Sequence, residues 1–177
     1  MDLSSPLPVL ADLFYPKIWL ARRFTTGRCE VVCCDGNSPM PFARGSFGYA
    51  MCSDAFQYIW TKRLFIAELC RLVEGGPEAP GGEPGAVVIN HTHNQITWSP
   101  SHGQPLTPAG YRHLFETLPV RVYGEAGLLA QVVKGGPLDL SEVDDEPRLD
   151  RDPALTIVAS RHEGVYVEHP QIGRAHV

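Results

Sequence analysis

The chain has 177 residues, 44% of them hydrophobic, and a formal net charge of −5. That is enough length and apolar content for one folded domain with a sizeable core, and it argues against disorder throughout. With no block of like charge and no basic stripe, nucleic acid is not expected as a partner; with no basic n-region at the start and no apolar run near the roughly 18 residues of a membrane span, no membrane role is expected either, and a cytoplasmic protein is.

In chain order, Pro8 to Asp12 is a short apolar run ending in an acid, read as a strand. Leu13 to Phe24 spaces its apolar residues as a helix does, with Pro16 in the first turn and Gly27 as the stop. Cys29 to Cys34 is apolar except for Glu30, as in a strand covered on both faces, and Phe47 to Ser53 is a second such run. Lys62 to Val73 has the pattern of an amphipathic helix. The Gly- and Pro-rich stretch Glu74 to Pro84 is an exposed loop, followed by a buried strand, Ala86 to Asn90. Thr107 and Pro108 open a helix that runs to Leu118. A strand follows at Val120 to Tyr123, then a helix at Glu125 to Lys134. Gly135 to Pro153 is an acidic connection, and the last strands are Leu155 to Ser160 and, more weakly, Gly164 to Glu168. Buried strands alternating with helices predict an α/β sandwich with a mostly parallel sheet.

In such sheets ligands sit outside the carboxyl ends of the strands. Asp12, Asp35 and the pair Ser53–Asp54 all fall at those predicted ends. One acid alone reads as a cap or as surface; the set reads as a ligand rim. A carboxylate in the place of Asp12 can accept from ribose hydroxyls, and one at Asp35 from an exocyclic amine such as that of adenine. The Gly36–Asn37 turn lets backbone approach a base edge, and Pro39 to Phe42 offers an apolar wall.

The segment CCDGNSPMPFARGSFGYAMCSDAFQYIWTKRLFIAELCRLVEGG, Cys33 to Gly76, resembles the class I S-adenosylmethionine-dependent methyltransferases, close to their type 11 group. The resemblance lies in an acid after a strand, a Pro-Phe element, a serine-phenylalanine pair, an apolar strand and a helix leading to paired glycines. It implies a Rossmann-like sandwich that uses S-adenosyl-L-methionine to methylate a small or modest-sized acceptor. It implies cofactor contacts at Asp12 and Leu13 on the ribose side, at Asp35, Gly36 and Asn37 on the adenine side, and at Ser53 and Asp54 near the methionine portion. Gly48 stands where the family has a second acid. The family's glycine-rich loop precedes the ribose acid by about 20 residues. Asp12 is too near Met1 for that, so the first strand and the glycine-loop unit are expected to be missing, with residues 1–171 a partial methyltransferase domain and residues 172–177, IGRAHV, a non-native tail.

Among the other residues, Asn90 to Asn94, NHTHN, places two histidines directly after a strand. As metal ligands they need a third partner such as His102 or His113, and the expectation is a substrate-side loop with no metal, in which His91 or His93 can serve as general base. Phe56, Tyr58 and Trp60 read as packing and cleft lining, with Tyr58 the candidate to touch substrate. The five cysteines (Cys29, Cys33, Cys34, Cys52 and Cys70) form no CxxC pair and read as reduced, buried thiols rather than a zinc site. GSFG, Gly45 to Gly48, is not a nucleophile elbow, which disfavours a hydrolase. The rival readings are a non-catalytic fragment or interaction module that keeps the fold, and a nicotinamide-dependent reductase.

Overall fold

The computed structural model describes residues 7–25, 28–75, 82, 85–97 and 103–170. The expected helix stop at Gly27, most of the Glu74 to Pro84 loop, His102 and the tail at 172–177 lie outside them. The chain divides into two units, Met1–Pro41 and Phe42–Val177.

The first unit is a strand–helix–strand crossover. Strand β1 (Val9–Asp12) runs parallel to β2 (Glu30–Cys33), in register from Val9 opposite Glu30 to Asp12 opposite Cys33. Parallel neighbours need a crossover, and helix α1 (Tyr15–Leu20) supplies it, continuing as a π-helical turn over Ala21–Thr25. Pro16 sits in the first turn of α1, where its missing N–H costs nothing. Ile18 and Cys29 are buried, but Val31 and Val32 are only half-buried and Cys33 is exposed. The expectation of a strand covered on both faces is therefore corrected: among the described residues β2 has one ladder neighbour, and α1 can shield one face.

The second unit carries a four-stranded sheet. Strand β3 (Tyr49–Ser53) pairs parallel with β4 (Ala86–His93). Strand β7 (Ala154–Ser160) lies antiparallel between β4 and β5 (Val120–Gly124). Strands β3, β4 and β5 thus share one direction and β7 alone opposes it, so the sheet is mostly parallel with one reversed strand.

Burial follows position in this sheet. In β7, flanked on both edges, every residue from Leu155 to Ser160 is buried. Val87, Ile89, Leu155 and Ile157 are fully buried, each worth about 1.5–3 kcal/mol relative to exposure. At the edge, β3 alternates: Cys52 is buried while Tyr49 and Met51 are 54% and 56% exposed. Phe47 to Ser53 is thus not the buried run its composition suggests, because an edge strand has one neighbour and one covered face. Gly85 admits β4 beside β3, since a Cβ there would stand 2.2 Å from the Gly48 carbonyl oxygen.

Helix α2 (Lys62–Leu72) makes the crossover between β3 and β4 and buries Phe65, Ile66, Leu69 and Leu72. Helix α3 (Pro108–Arg112) is N-capped by Thr107, whose hydroxyl accepts from Gly110 N at 3.1 Å, and it is shorter than the sequence suggests. Helix α4 (Glu125–Val133) follows β5 directly, close to its expected span. The acidic connection is not plain loop: it holds β6 (Leu138–Asp139) and α5 (Glu146–Leu149), the latter N-capped by Asp145. The weak strand expected at Gly164 to Glu168 is a 3-10 turn (Glu163–Val165) followed by β8 (Glu168–His169), which pairs with β6. Among the described residues, no helix is long and apolar enough to cross a membrane.

Candidate ligand rim at the strand ends

In the first unit, Asp12 closes β1 and its Oδ1 accepts from Phe14 N at 2.7 Å. Asp35 stands two residues beyond the end of β2. Its Oδ1 accepts from Asn37 N at 2.8 Å and from Asn37 Nδ2 at 3.0 Å, while its carbonyl takes Ser38 N at 3.1 Å. This is the Asx geometry that Asp-Gly-Asn favours. Each carboxylate therefore spends one oxygen on local backbone and leaves Oδ2 to accept elsewhere. Leu13, 59% exposed, follows Asp12, and Gly36 and Asn37 form the half-buried turn after Asp35. Of the five cysteines, expected to be buried, only Cys29 and Cys52 are. Burial, reinforced by Cys33 and the two acids, pushes the Cys34 thiol up.

In the second unit, β3 and β4 run parallel with Ser53 opposite Asn90, so both end at the same rim. Asp54 N continues the ladder by donating to Asn90 O at 3.1 Å. The expected histidine loop is strand instead: β4 runs three residues past Asn90 and pairs Thr92 with Leu155 and His93 with Ala154. It does so through a bulge between Ile89 and Thr92. A bulge of this kind re-aims side chains at strand ends. His91 has φ +52° and Asp54 φ +49°, and among the described residues no other non-glycine residue has positive φ.

The far side of this strand end is pinned. Thr92, fully buried, donates from Oγ1 to Tyr111 Oη at 3.0 Å, and that hydroxyl donates to His93 O at 2.8 Å. Burial raises the Tyr111 phenol, so it stays protonated and can donate.

On the open side, Asp54, His91 and His93 come together, with one ligand atom from each lying within 4.8 Å of the others. Gln57 Nε2 donates to Asp54 Oδ1 at 2.9 Å. His91 Nδ1 lies 2.6 Å from Glu125 Oε2, at the start of α4. Three buried side-chain atoms lack a hydrogen-bond partner among the described residues: Gln57 Oε1, Asn90 Oδ1 and His93 Nδ1. All three residues belong to this strand end or contact it. Such orphaned atoms ask for a water, an ion or a ligand.

Sequence reasoning had Ser53, Asp54, His91 and His93 as candidates but did not join them, and it missed Gln57 and Glu125. His113, one suggested third partner, instead follows α3 as its exposed C-cap. Tyr58 lies half exposed on the 3-10 turn Phe56–Tyr58, while Phe56 is fully buried against Phe65 and Tyr111. Phe42, expected in an apolar wall, packs edge-on against Phe47 with ring centroids 5.2 Å apart. A groove of about 440 Å³ opens elsewhere, beside Trp60, Lys62 and Leu106. Its one buried cation, Lys62, is already engaged by the carbonyls of Phe56 at 3.1 Å and Ile59 at 2.6 Å, so the strand ends carry more free chemistry.

No protein-family model matches the chain, and no curated protein matches it in sequence. Solved structures do match in fold. The Haloferax volcanii protein solved in complex with the Trm112 methyltransferase activator shares a TM-score of 0.61 at 15% identity, over 87% of this chain and 71% of that one. Geranyl diphosphate C-methyltransferase from Streptomyces coelicolor A3(2), solved with S-adenosyl-L-homocysteine, gives 0.56 at 14% identity, over 87% and 62%. The [4+2]-cyclase SpnF gives 0.53 at 10% identity, over 89% and 67%. The fold is that of the class I S-adenosylmethionine-dependent methyltransferases, as the sequence resemblance implied.

Proposed function

We propose that the chain binds S-adenosyl-L-methionine and takes part in methyl transfer to a small or modest-sized acceptor. The observation that carries this reading is the pair Asp12 and Asp35. They are strand-end carboxylates on successive parallel strands, each held by its own turn through Oδ1 with Oδ2 left to accept. Two acceptor oxygens so placed fit the hydroxyls of a ribose and the amine of an adenine. Asp12 and Leu13 would hold the ribose side; Asp35, Gly36 and Asn37 would hold the base. The role expected of Ser53 and Asp54 at the methionine end rests on the resemblance alone.

When bound, the cofactor supplies a methyl group on an already activated sulfonium. Positioning then does most of the work, and a base is needed only for acceptors that must lose a proton. For such an acceptor His91 and His93 are candidate bases on the chemistry of imidazole alone. The fold by itself does not fix the reaction, as the cyclase among its neighbours illustrates.

A thermal-shift series separates this reading from its rivals. S-adenosylhomocysteine should raise the melting temperature in a concentration-dependent way, and NAD should not. A shift with NAD alone would point to a reductase, and no shift with either would point to a non-catalytic module.

A further inference from the structure

We propose that Asp54, His91 and His93 form a binding site for a divalent first-row transition-metal ion. The three ligand atoms stand within 4.8 Å of one another before any ion draws them in. Two imidazoles and one carboxylate suit Zn²⁺, Co²⁺ or Fe²⁺; Mg²⁺ and Ca²⁺ prefer oxygen donors alone.

Two of the three ligands, His91 and Asp54, are held the way a metal ligand is held. Glu125 Oε2 at 2.6 Å from His91 Nδ1 fixes the ring and its tautomer, leaving Nε2 as the ligating nitrogen. Gln57 occupies Asp54 Oδ1 at 2.9 Å and leaves Oδ2. His93 Nδ1 is buried with no hydrogen-bond partner among the described residues, a cost that a cation bound at that nitrogen would remove. The backbone supports the same conclusion: two ligands, Asp54 and His91, hold positive φ, and His91 sits in the β4 bulge. Strain of that kind is stored where a side chain must point somewhere particular.

Asp54 and His91 are exposed, so three protein ligands leave open coordination positions on the solvent side. That is the arrangement of a reactive rather than a purely structural site. The ion's remaining partners would be water or the oxygen of a small ligand. The site lies within the second unit and needs no cofactor, but it draws on Asp54, His91 and His93, so an occupied site leaves the ligating histidine nitrogens unable to serve as base.

Titration of the full chain with Co²⁺, followed by visible absorption, tests it. One Co²⁺ per chain should bind, with d–d bands and no sulfur-to-metal charge-transfer band, and Mg²⁺ should not displace it. Asp54→Asn should abolish the spectrum; asparagine tolerates the positive φ at this position, so the backbone should be kept. Glu125→Gln should weaken binding about 10–100-fold. A charge-transfer band would place the ion on the cysteines and overturn the proposal, as would no saturable binding or an unchanged affinity in Asp54→Asn. Circular dichroism and melting temperature confirm the fold of each variant. If Asp54→Asn fails to fold, an unchanged Co²⁺ affinity in Glu125→Gln is the result that overturns the site.

Discussion

Glu125 Oε2 lies 2.6 Å from His91 Nδ1, joining the first residue of α4 to the bulged end of β4. The histidine side chain is 49% exposed and the carboxylate 12%. A pair with one partner this wet contributes little to stability, and the acid adds only a modest favourable term at the helix N-terminus. Glu125→Gln should therefore cost no more than about 1 kcal/mol in urea denaturation. A loss above about 2 kcal/mol would mean that Glu125 holds the fold rather than orients the ring.

The opposite side of the same strand end is different. Tyr111 is fully buried, and its hydroxyl accepts from Thr92 Oγ1 and donates to His93 O. Tyr111→Phe strands both partners in a dry interior, at a cost of about 1–3 kcal/mol in chemical denaturation. A loss within about 0.5 kcal/mol would show that this hydroxyl does not pin β4.

How much of this was legible in the sequence depends on the element. The strand ends at Asp12 and Ser53 were readable, because apolar runs stop at acids and each parallel strand is one short run. The reach of β4 was not. His91, Thr92 and His93 look like loop by composition, yet pairing with Ala154 and Leu155 carries the strand through them. The Asp54–His91–His93 cluster depends on β3 and β4 being parallel neighbours with Ser53 opposite Asn90. A sequence signal existed: an acid and a His-x-His each directly follow a predicted strand. Joining them required the sheet order, and the bulge at His91 left no mark in composition. Glu125 was hidden because it enters from a third strand–helix junction. β6 and α5 were missed because a two-residue strand and a one-turn helix carry too little periodicity to read.

In the first unit, Asp12→Ala should weaken binding of S-adenosylhomocysteine by roughly 1.5–3 kcal/mol, the scale of hydrogen bonds to a charged acceptor. Asp35→Asn should lower affinity more than it lowers the melting temperature. It keeps one oxygen to accept from Asn37 N and loses the anionic acceptor. Titration calorimetry beside a thermal melt reads both quantities. A lower melting temperature at unchanged affinity would make Asp35 a turn cap and nothing more.

Alkaline pH should weaken the second unit through its buried phenols. Burial pushes Tyr123, 1% exposed, up to about 12, and raises Tyr111 and Tyr166 as well. A phenol with a raised folded pKa contributes stability in full below its unfolded value near 10 and loses it as pH climbs through the folded value. For Tyr123 the window is therefore from about 10 to about 12, and at about 1.4 kcal/mol per unit the loss is on the order of 3 kcal/mol. Urea denaturation at about pH 9 and about pH 11 should show wild type losing more stability than Tyr123→Phe. Equal losses in the two proteins would contradict this.

The most direct test of the functional account is isothermal titration of the 177-residue chain with S-adenosylhomocysteine, beside the Asp12→Ala/Asp35→Asn double variant. The account expects weak but saturable binding in wild type, through the Asp12 and Asp35 contacts, and none measurable in the double variant at the same concentrations. Absence of binding to a folded wild-type chain, or equal binding by both proteins, would contradict it.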